Sequence, residues 1–168
     1  MLIEVYVKGV LEITNANMLI LKEKNKNRYL AIYTGRYEAT YISNALLGID
    51  SERPLTQDLL LDVIMTLDAE IKFVTINEII DSIYYSELVL EQNGETKKID
   101  ARPSDSIAIA LKTQSPIYVD KEIFNANCVE LEEDNENDSP VKEKLPEAFQ
   151  DFIGGLSELD DLDKPPEK

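Results

Sequence analysis

The sequence predicts an α+β fold: two three-stranded meanders packed with helices, followed by a flexible acidic tail. Three observations carry this. β-Branched, partly alternating runs come in two groups of three, each divided by turn signals. Segments of helical period follow each group. Beyond Val129 the apolar content collapses and acidic residues take over.

Leu2 to Ile13 alternates through Ile3, Val5 and Val7 and reads as the first strand. Asn15-Ala16-Asn17 turns the chain into a second, Met18 to Lys24. The polar Asn25-Lys26-Asn27 is of hairpin length and leads to a third, Arg28 to Tyr33. Thr34-Gly35 breaks the pattern, and Arg36 to Leu47 has helical spacing with Gly48 as its stop. Glu38, Ile42, Ala45 and Leu46 share one face of that helix. Glu38 then either answers the helix dipole in the first turn or serves as a site carboxylate. After Arg53-Pro54, Thr56 suits the N-cap of a second helix reaching about Asp68. Its expected buried face is Leu59, Leu60, Val63, Ile64 and Leu67. Asp58 and Asp62 lie four apart on the other side, either solvated or able to share a cation.

Glu70 to Ile79 opens the second meander with Ile71, Phe73 and Val74 inward, Asp81-Ser82 turns it, and Ile83 to Glu91 returns. Asn93-Gly94 is the signal of a type I′ hairpin, after which Glu95 to Ala101 is the third strand. Pro103 fixes its own φ and lacks an N–H, so it fits the first helical position and forces Arg102 to be extended. Ser104 is a candidate N-cap, and Asp105 stands in the first turn. The following helix is apolar nearly all round and should be buried. Asp100, Arg102 and Asp105 therefore meet at one strand-to-helix junction, where Arg102 either pairs with Asp100 or Asp105 or serves a site. Pro116 to Val119 reads as a short strand, Lys121 to Asn125 as a single helical turn, and Cys128 as a small core residue.

Composition narrows the chemistry. Among 168 residues, 43% are hydrophobic, enough to bury a core, and there is no histidine. Ser-His-Asp and Cys-His catalysis and His-ligated zinc are thereby excluded. Any hydrolysis must use carboxylates, Lys, Tyr, Arg or a hard cation held by oxygens. One cysteine cannot form an internal disulfide, and the first residues do not read as a signal peptide. With no apolar run of membrane length, a cytoplasmic protein without membrane contact is the expectation. The formal charge is −16, and residues 130–168 carry 14 Asp/Glu against 4 Lys. Residues 1–129 should form the domain. Residues 130–168 should form a largely disordered tail with a short amphipathic helix near 145–157, able to recruit a basic partner.

The junction and its continuation, Ile99 to Val119, resemble the signature of the bifunctional nuclease family: Asp-Ala/Ser-Arg-Pro-Ser-Asp-Ala-Ile-x-Leu-Ala, a basic residue, Thr-Gly and Ala-Pro-Ile. Arg53-Pro54-Leu55-Thr56-Gln57-Asp58-Leu59-Leu60 is similar to the family's second block, Arg-Pro-Leu-Thr-His-Asp-Leu. Gly35, Glu38, Ala39, Ile42, Ala45 and Leu46 resemble its first helix. Gln57 stands where the family usually has His, Thr34 where it has Ile, and Gln114-Ser115 where it has Gly-Ala. The resemblance implies a mostly antiparallel (mixed), curved sheet with two to three packed helices, often a homodimer, and cleavage of DNA and RNA. Carried onto this chain, the polar positions are Glu38, Asp58, Asp100, Arg102, Ser104 and Asp105. With no His, the implied mechanism is metal-dependent. Two or more of Asp58, Asp100, Asp105 and Glu38 would hold Mg²⁺ or Mn²⁺, with Asp58, Asp100 and Asp105 the first candidates. Arg102 would stabilise charge on the phosphoryl oxygens, and Arg102, Ser104, Arg53 and Gln57 would bind substrate. No organic cofactor is indicated. The other reading is a non-catalytic dimeric module that recognises an anionic ligand or a protein partner through its Arg-Pro-led helix starts.

Overall fold

Both meanders form, and one short strand joins them. The computed structural model describes residues 1–13 and 16–130. The first meander is β1 (Leu2–Ile13), β2 (Ala16–Glu23) and β3 (Arg28–Thr34). Next come α1 (Arg36–Leu46) and α2 (Thr56–Thr66). The second meander is β4 (Ala69–Ile80), β5 (Ile83–Gln92) and β6 (Glu95–Ala101). It feeds α3 (Pro103–Thr113), and β7 (Ile117–Asp120), α4 (Lys121–Asn127) and β8 (Val129–Glu130) follow. The eight strands make one mixed sheet of order β6-β5-β4-β7-β1-β2-β3-β8. Among the described residues its one parallel pairing is β4 with β7, registered Val74 to Ile117 and Ile76 to Val119. All other pairs are antiparallel.

The turn chemistry explains the hairpins. Asp81 and Ser82 take φ of 48° and 65°, and Asn93 and Gly94 take 52° and 79°. Two successive left-handed residues are what a type I′ turn requires, and they match the twist of the flanking strands. The β4–β5 ladder slips between Ile71 and Phe73. The extra residue there, Lys72, puts Ile71 and Val74 on the same buried face. Phe73 is thereby turned away from the expected inward position and packs edge-on against Tyr118, with ring centroids 5.7 Å apart.

The three longer helices pack on one another and on the sheet. Helix α3 supplies the centre: Ile107, Ala108, Ile109 and Ala110 are fully buried among strand residues such as Val74, Leu88 and Ile117. Several expectations are corrected. Thr56 is the first helical residue of α2, and Leu55 is its N-cap. Asp58, at the third helical position, accepts the Leu55 N–H at 2.9 Å, the backward half of a capping box, while the leucine side chain offers no acceptor for the forward half. Of the face expected to be buried in α2, only Ile64 is; Leu59 is 59% exposed, and Leu60, Val63 and Leu67 are exposed too. In α1 the buried residues are Ala39, Tyr41 and Ile42, while Leu46 points to solvent. Ser104 lies buried inside α3, whose N-cap is Arg102. The turn after β7 is a seven-residue helix. Strand β8 pairs Glu130 with Arg28, one residue past the expected domain edge. The acidic tail and the amphipathic stretch near 145–157 lie outside the described residues. Among the described residues no helix is long and apolar enough to cross a membrane.

Candidate functional site

The junction between β6 and α3 is built from below by hydroxyls. Ser86 on β5 is fully buried; its Oγ donates to the Ala101 carbonyl at 2.7 Å and sits 2.8 Å from Ser106 Oγ. Ser106 Oγ also lies 3.1 Å from the Pro103 carbonyl. These contacts tie β5, the end of β6 and the first turn of α3 together, so the backbone of Arg102 is fixed. Arg102 is extended, at φ −69° and ψ 145°, as Pro103 demands.

The Arg102 side chain is held by two carboxylates. Its Nε donates to Asp105 Oδ2 at 2.7 Å and Nη2 to Asp105 Oδ1 at 3.1 Å. Nη2 also reaches Glu38 Oε1 on α1 at 2.8 Å. The Asp105 pairing first, and Glu38 after it, push the guanidinium pKa up, so the charge is permanent. Both Nη1 protons remain uncommitted among the described residues, and the side chain is 67% exposed. Glu38 is tucked against Gly35, where a Cβ would collide with its carboxylate. Glycine at that position therefore lets Glu38 fold back to meet Arg102.

A second cluster lies under the start of α2. Tyr41 donates its hydroxyl to Asp58 Oδ1 at 2.7 Å, and Lys112 Nζ stands 3.4 Å from the same oxygen and 2.8 Å from Asp50. Burial pushes the Asp58 carboxyl up, but the Leu55 N–H, the Tyr41 hydroxyl and Lys112 together outweigh it and hold the carboxyl below its usual range. Burial, and then the Asp58 charge, raise the Tyr41 phenol, which makes it a donor and not a base. Asp58 is thus a structural clasp that binds α1, α2 and α3.

A cleft of about 920 Å³ opens between α1, α2, β6 and α3. The first turns of three helices line it, through Arg36 and Tyr37, Thr56 and Gln57, and Arg102 and Asp105. Each helix brings the positive end of its dipole to the same space, which favours an anion there despite the acidic chain. The floor is apolar, from Leu60, Leu88, Ile99 and Ile109.

Of the residues expected at a site, Glu38, Gln57, Asp100, Arg102 and Asp105 line this cleft, whereas Arg53, Asp58 and Ser104 do not. Asp58, Asp100 and Asp105 do not converge: among the described residues no three acidic or cysteine side chains are placed to share a metal ion. Asp100 is exposed, paired through its backbone in the β5–β6 ladder, and its carboxylate makes no hydrogen bond among the described residues. Arg36, Tyr37, Tyr41 and Asn44 also line the cleft and were not singled out from sequence. The spacing of Tyr37, Tyr41 and Asn44 at i, i+4 and i+7 beside Glu38 was the available signal.

Residues 19–132 match the model of the bifunctional nuclease domain. An uncharacterized protein of Mycobacterium tuberculosis (strain H37Rv) is 37% identical over 145 residues, which cover 85% of this chain and 87% of that protein. Bifunctional nuclease 1 of Oryza sativa subsp. indica is 28% identical over 127 residues, 73% of this chain and 38% of the rice protein. Bifunctional nuclease 1 of Arabidopsis thaliana is 24% identical over 148 residues, 84% of this chain and 46% of its own length. The chain thus spans less than half of each of these two plant proteins.

Proposed function

This chain belongs to the bifunctional nuclease domain family, and from that premise we propose that it hydrolyses phosphodiester bonds of DNA or RNA in the α1–α2–β6–α3 cleft. The observation that carries the proposal is Arg102, held by Asp105 and Glu38 with two N–H groups uncommitted among the described residues, at a point ringed by three helix starts. That arrangement suits a phosphate in the ground state and the extra charge that gathers on its oxygens during displacement.

The donor set does not fit a three-carboxylate metal cage, because Arg102 engages Asp105 and Glu38, and Asp58 is consumed by the clasp. It does fit Mg²⁺ or Mn²⁺ held through Asp100, since such ions keep several waters and bind through one or two carboxylates plus substrate phosphate. Bound there, the cation would supply an activated water and offset phosphate charge. Arg102 and the helix starts bind and orient the phosphate, and Glu38 and Asp105 keep the guanidinium aimed.

The engagement of nearly every candidate carboxylate favours a second reading, a non-catalytic module that binds an anionic ligand or protein partner through the same cleft. One experiment separates the two. The purified chain is assayed on DNA and RNA with Mg²⁺, Mn²⁺ or EDTA, beside Arg102→Ala. Nuclease function requires activity that follows the protein through a further column, vanishes in EDTA and falls about 100-fold in the variant, the size typical of a lost transition-state donor. Activity that separates from the protein leaves the binding module.

We also propose a homodimer formed through α2, where Leu59, Val63 and Leu67 make an exposed apolar stripe at i, i+4, i+8 spacing. Light scattering should give twice the chain mass, and Leu59→Glu should reduce it to one. A parent protein that scatters as a monomer at every concentration removes this idea. For residues 130–168, the 14 acids support recruitment of a basic partner.

A further inference from the structure

The cleft is not built for a duplex backbone. Its charged rim is close to balanced: Arg36 and Arg102 face Glu38, Asp100 and Asp105. A surface that tracks a polyanion needs a basic excess, which this rim lacks. Most of the lining is instead apolar, with Leu60 and Ile99 half-exposed above a buried Ile109. Beside that wall stand two side-chain amides, Asn44 and Gln57, that make no hydrogen bond among the described residues. At the mouth is Tyr37, 89% exposed, an aromatic ring on a helix with no hydrogen bond or ring contact among the described residues. An apolar slot, unpaired amides that can both donate and accept, and a free aromatic ring together suit a flat, apolar-faced group with a polar edge.

We infer that the cleft seats one unstacked nucleobase against Leu60 and Ile99, covered by the Tyr37 ring and read at its edge by Asn44 and Gln57, with its phosphate at Arg102, so that the substrate is single-stranded. This rests on the nuclease reading and narrows it. Bases in a duplex are stacked on both faces and paired at their edges, so they cannot enter without being flipped out. A base on a single strand is free to enter, and its burial and stacking supply affinity that the balanced rim does not. The amide pair is tolerant of base identity, because a side-chain amide can reverse its donor and acceptor ends.

The test uses the full chain and fluorescent phosphorothioate strands, which resist cleavage, with fluorescence anisotropy as the readout. Three probes are compared: a 12-nucleotide single strand, its duplex, and a single strand of the same length with abasic sugars. The natural single strand should bind at least 10-fold tighter than either of the others. Tyr37→Ala should weaken it by about 5- to 150-fold, the span of base–aromatic stacking, and Tyr37→Phe should restore it. The abasic strand should be indifferent to Tyr37. Tyr37 is exposed, so its loss leaves the core intact. Equal binding of abasic and natural strands, or no effect of Tyr37→Ala, overturns the base seat; if Arg102→Ala still weakens both strands, the phosphodiester reading survives. Tighter binding of the duplex overturns it in favour of backbone recognition. No binding of any strand overturns the inference and the nuclease reading together.

Discussion

Helices α2 and α3 begin alike and end up differently. Each is led in by an Arg-Pro, which precedes α2 and supplies the N-cap and first residue of α3; each has 11 residues, and each carries an aspartate in its first turn. Yet α3 buries seven of its residues, from Pro103 to Ala110 with only Asp105 partly exposed, and α2 buries only Ile64. The difference lies in side-chain size. Ser104, Ser106, Ala108 and Ala110 keep α3 thin, so it can press into the hollow of the sheet between strands and the other helices. Helix α2 carries the bulkier Leu59, Leu60, Val63 and Met65, which stay exposed, and reaches the core only through Ile64 and the partly buried Leu61. The aspartates diverge in turn. Asp105 points out and aims an arginine, whereas Asp58 points in and fastens three helices. Apolar composition shows that a helix wants a partner; volume decides whether that partner is its own sheet.

The sharpest way to break this contrast is core truncation. Ile107→Ala should cost about 2–5 kcal/mol, as removal of buried bulk does. Leu59→Ala should stay within about 0.5 kcal/mol when measured in dilute, dissociated protein, the range of surface changes. Urea midpoints of the two variants decide it, and equal losses would mean that α2 is as integral as α3.

The two Arg-Pro arginines are compared next. Arg102 is in the cleft and Arg53 is not. Against the roughly 100-fold loss expected for Arg102→Ala, Arg53→Ala should change turnover by no more than about 2-fold. A matching loss at Arg53 would move the substrate path onto the start of α2.

The clasp is expected to show itself in acid. Asp58→Asn should destabilise by about 0.5–2 kcal/mol at pH 7, through its loss at the helix start and at Lys112. Since the folded Asp58 carboxyl is depressed, its contribution is present above the unfolded value of about 3.9 and fades as pH falls through the folded one. Melts of parent and variant should therefore converge below that point. A gap that persists unchanged in strong acid would show that the charge of Asp58 is irrelevant.

The smallest effect concerns the far end of α3. Gln114 sits at φ 54°, a left-handed residue that closes the helix while the Ser115 N–H bonds the Ala110 carbonyl at 3.0 Å. Glycine takes this conformation without strain, so Gln114→Gly should raise stability by about 0.5–1 kcal/mol. A lower melting temperature would mean that the glutamine side chain compensates.

Much of the fold could be read from the chain. Alternation and turn residues placed both meanders, because Asn93-Gly94 and Asp81-Ser82 encode their geometry locally. Pro103 likewise set the start of α3. The exposure of Leu59 and Val63 could not be read, since helical period reports an apolar face and not what covers it. The bulge at Lys72 was equally hidden, and with it the turning of Phe73. At the site, the sequence narrows the partner of Arg102 to Asp100 or Asp105 and the structure selects Asp105, while its Glu38 partner depended on which helix lay beside α3. Tyr41 and Lys112 reach Asp58 only through the packing of α1 on α3, which no local pattern states.

The placement of β7 has a consequence for the order of events during synthesis. Ile117–Asp120 pairs with β1 on one side and β4 on the other, so the meanders share no direct edge in the sheet. A nascent chain that has emerged only as far as Thr113 holds two unjoined three-stranded ribbons, with the open edges of β1 and β4 both exposed. Such edges invite pairing with other chains. Completion therefore waits for a four-residue strand delivered late, and its contacts with β1 span more than 110 positions of sequence, which slows closure. The Pro116 carbonyl, which accepts the Val74 N–H at 3.0 Å, begins the ladder by which that late strand is held to β4.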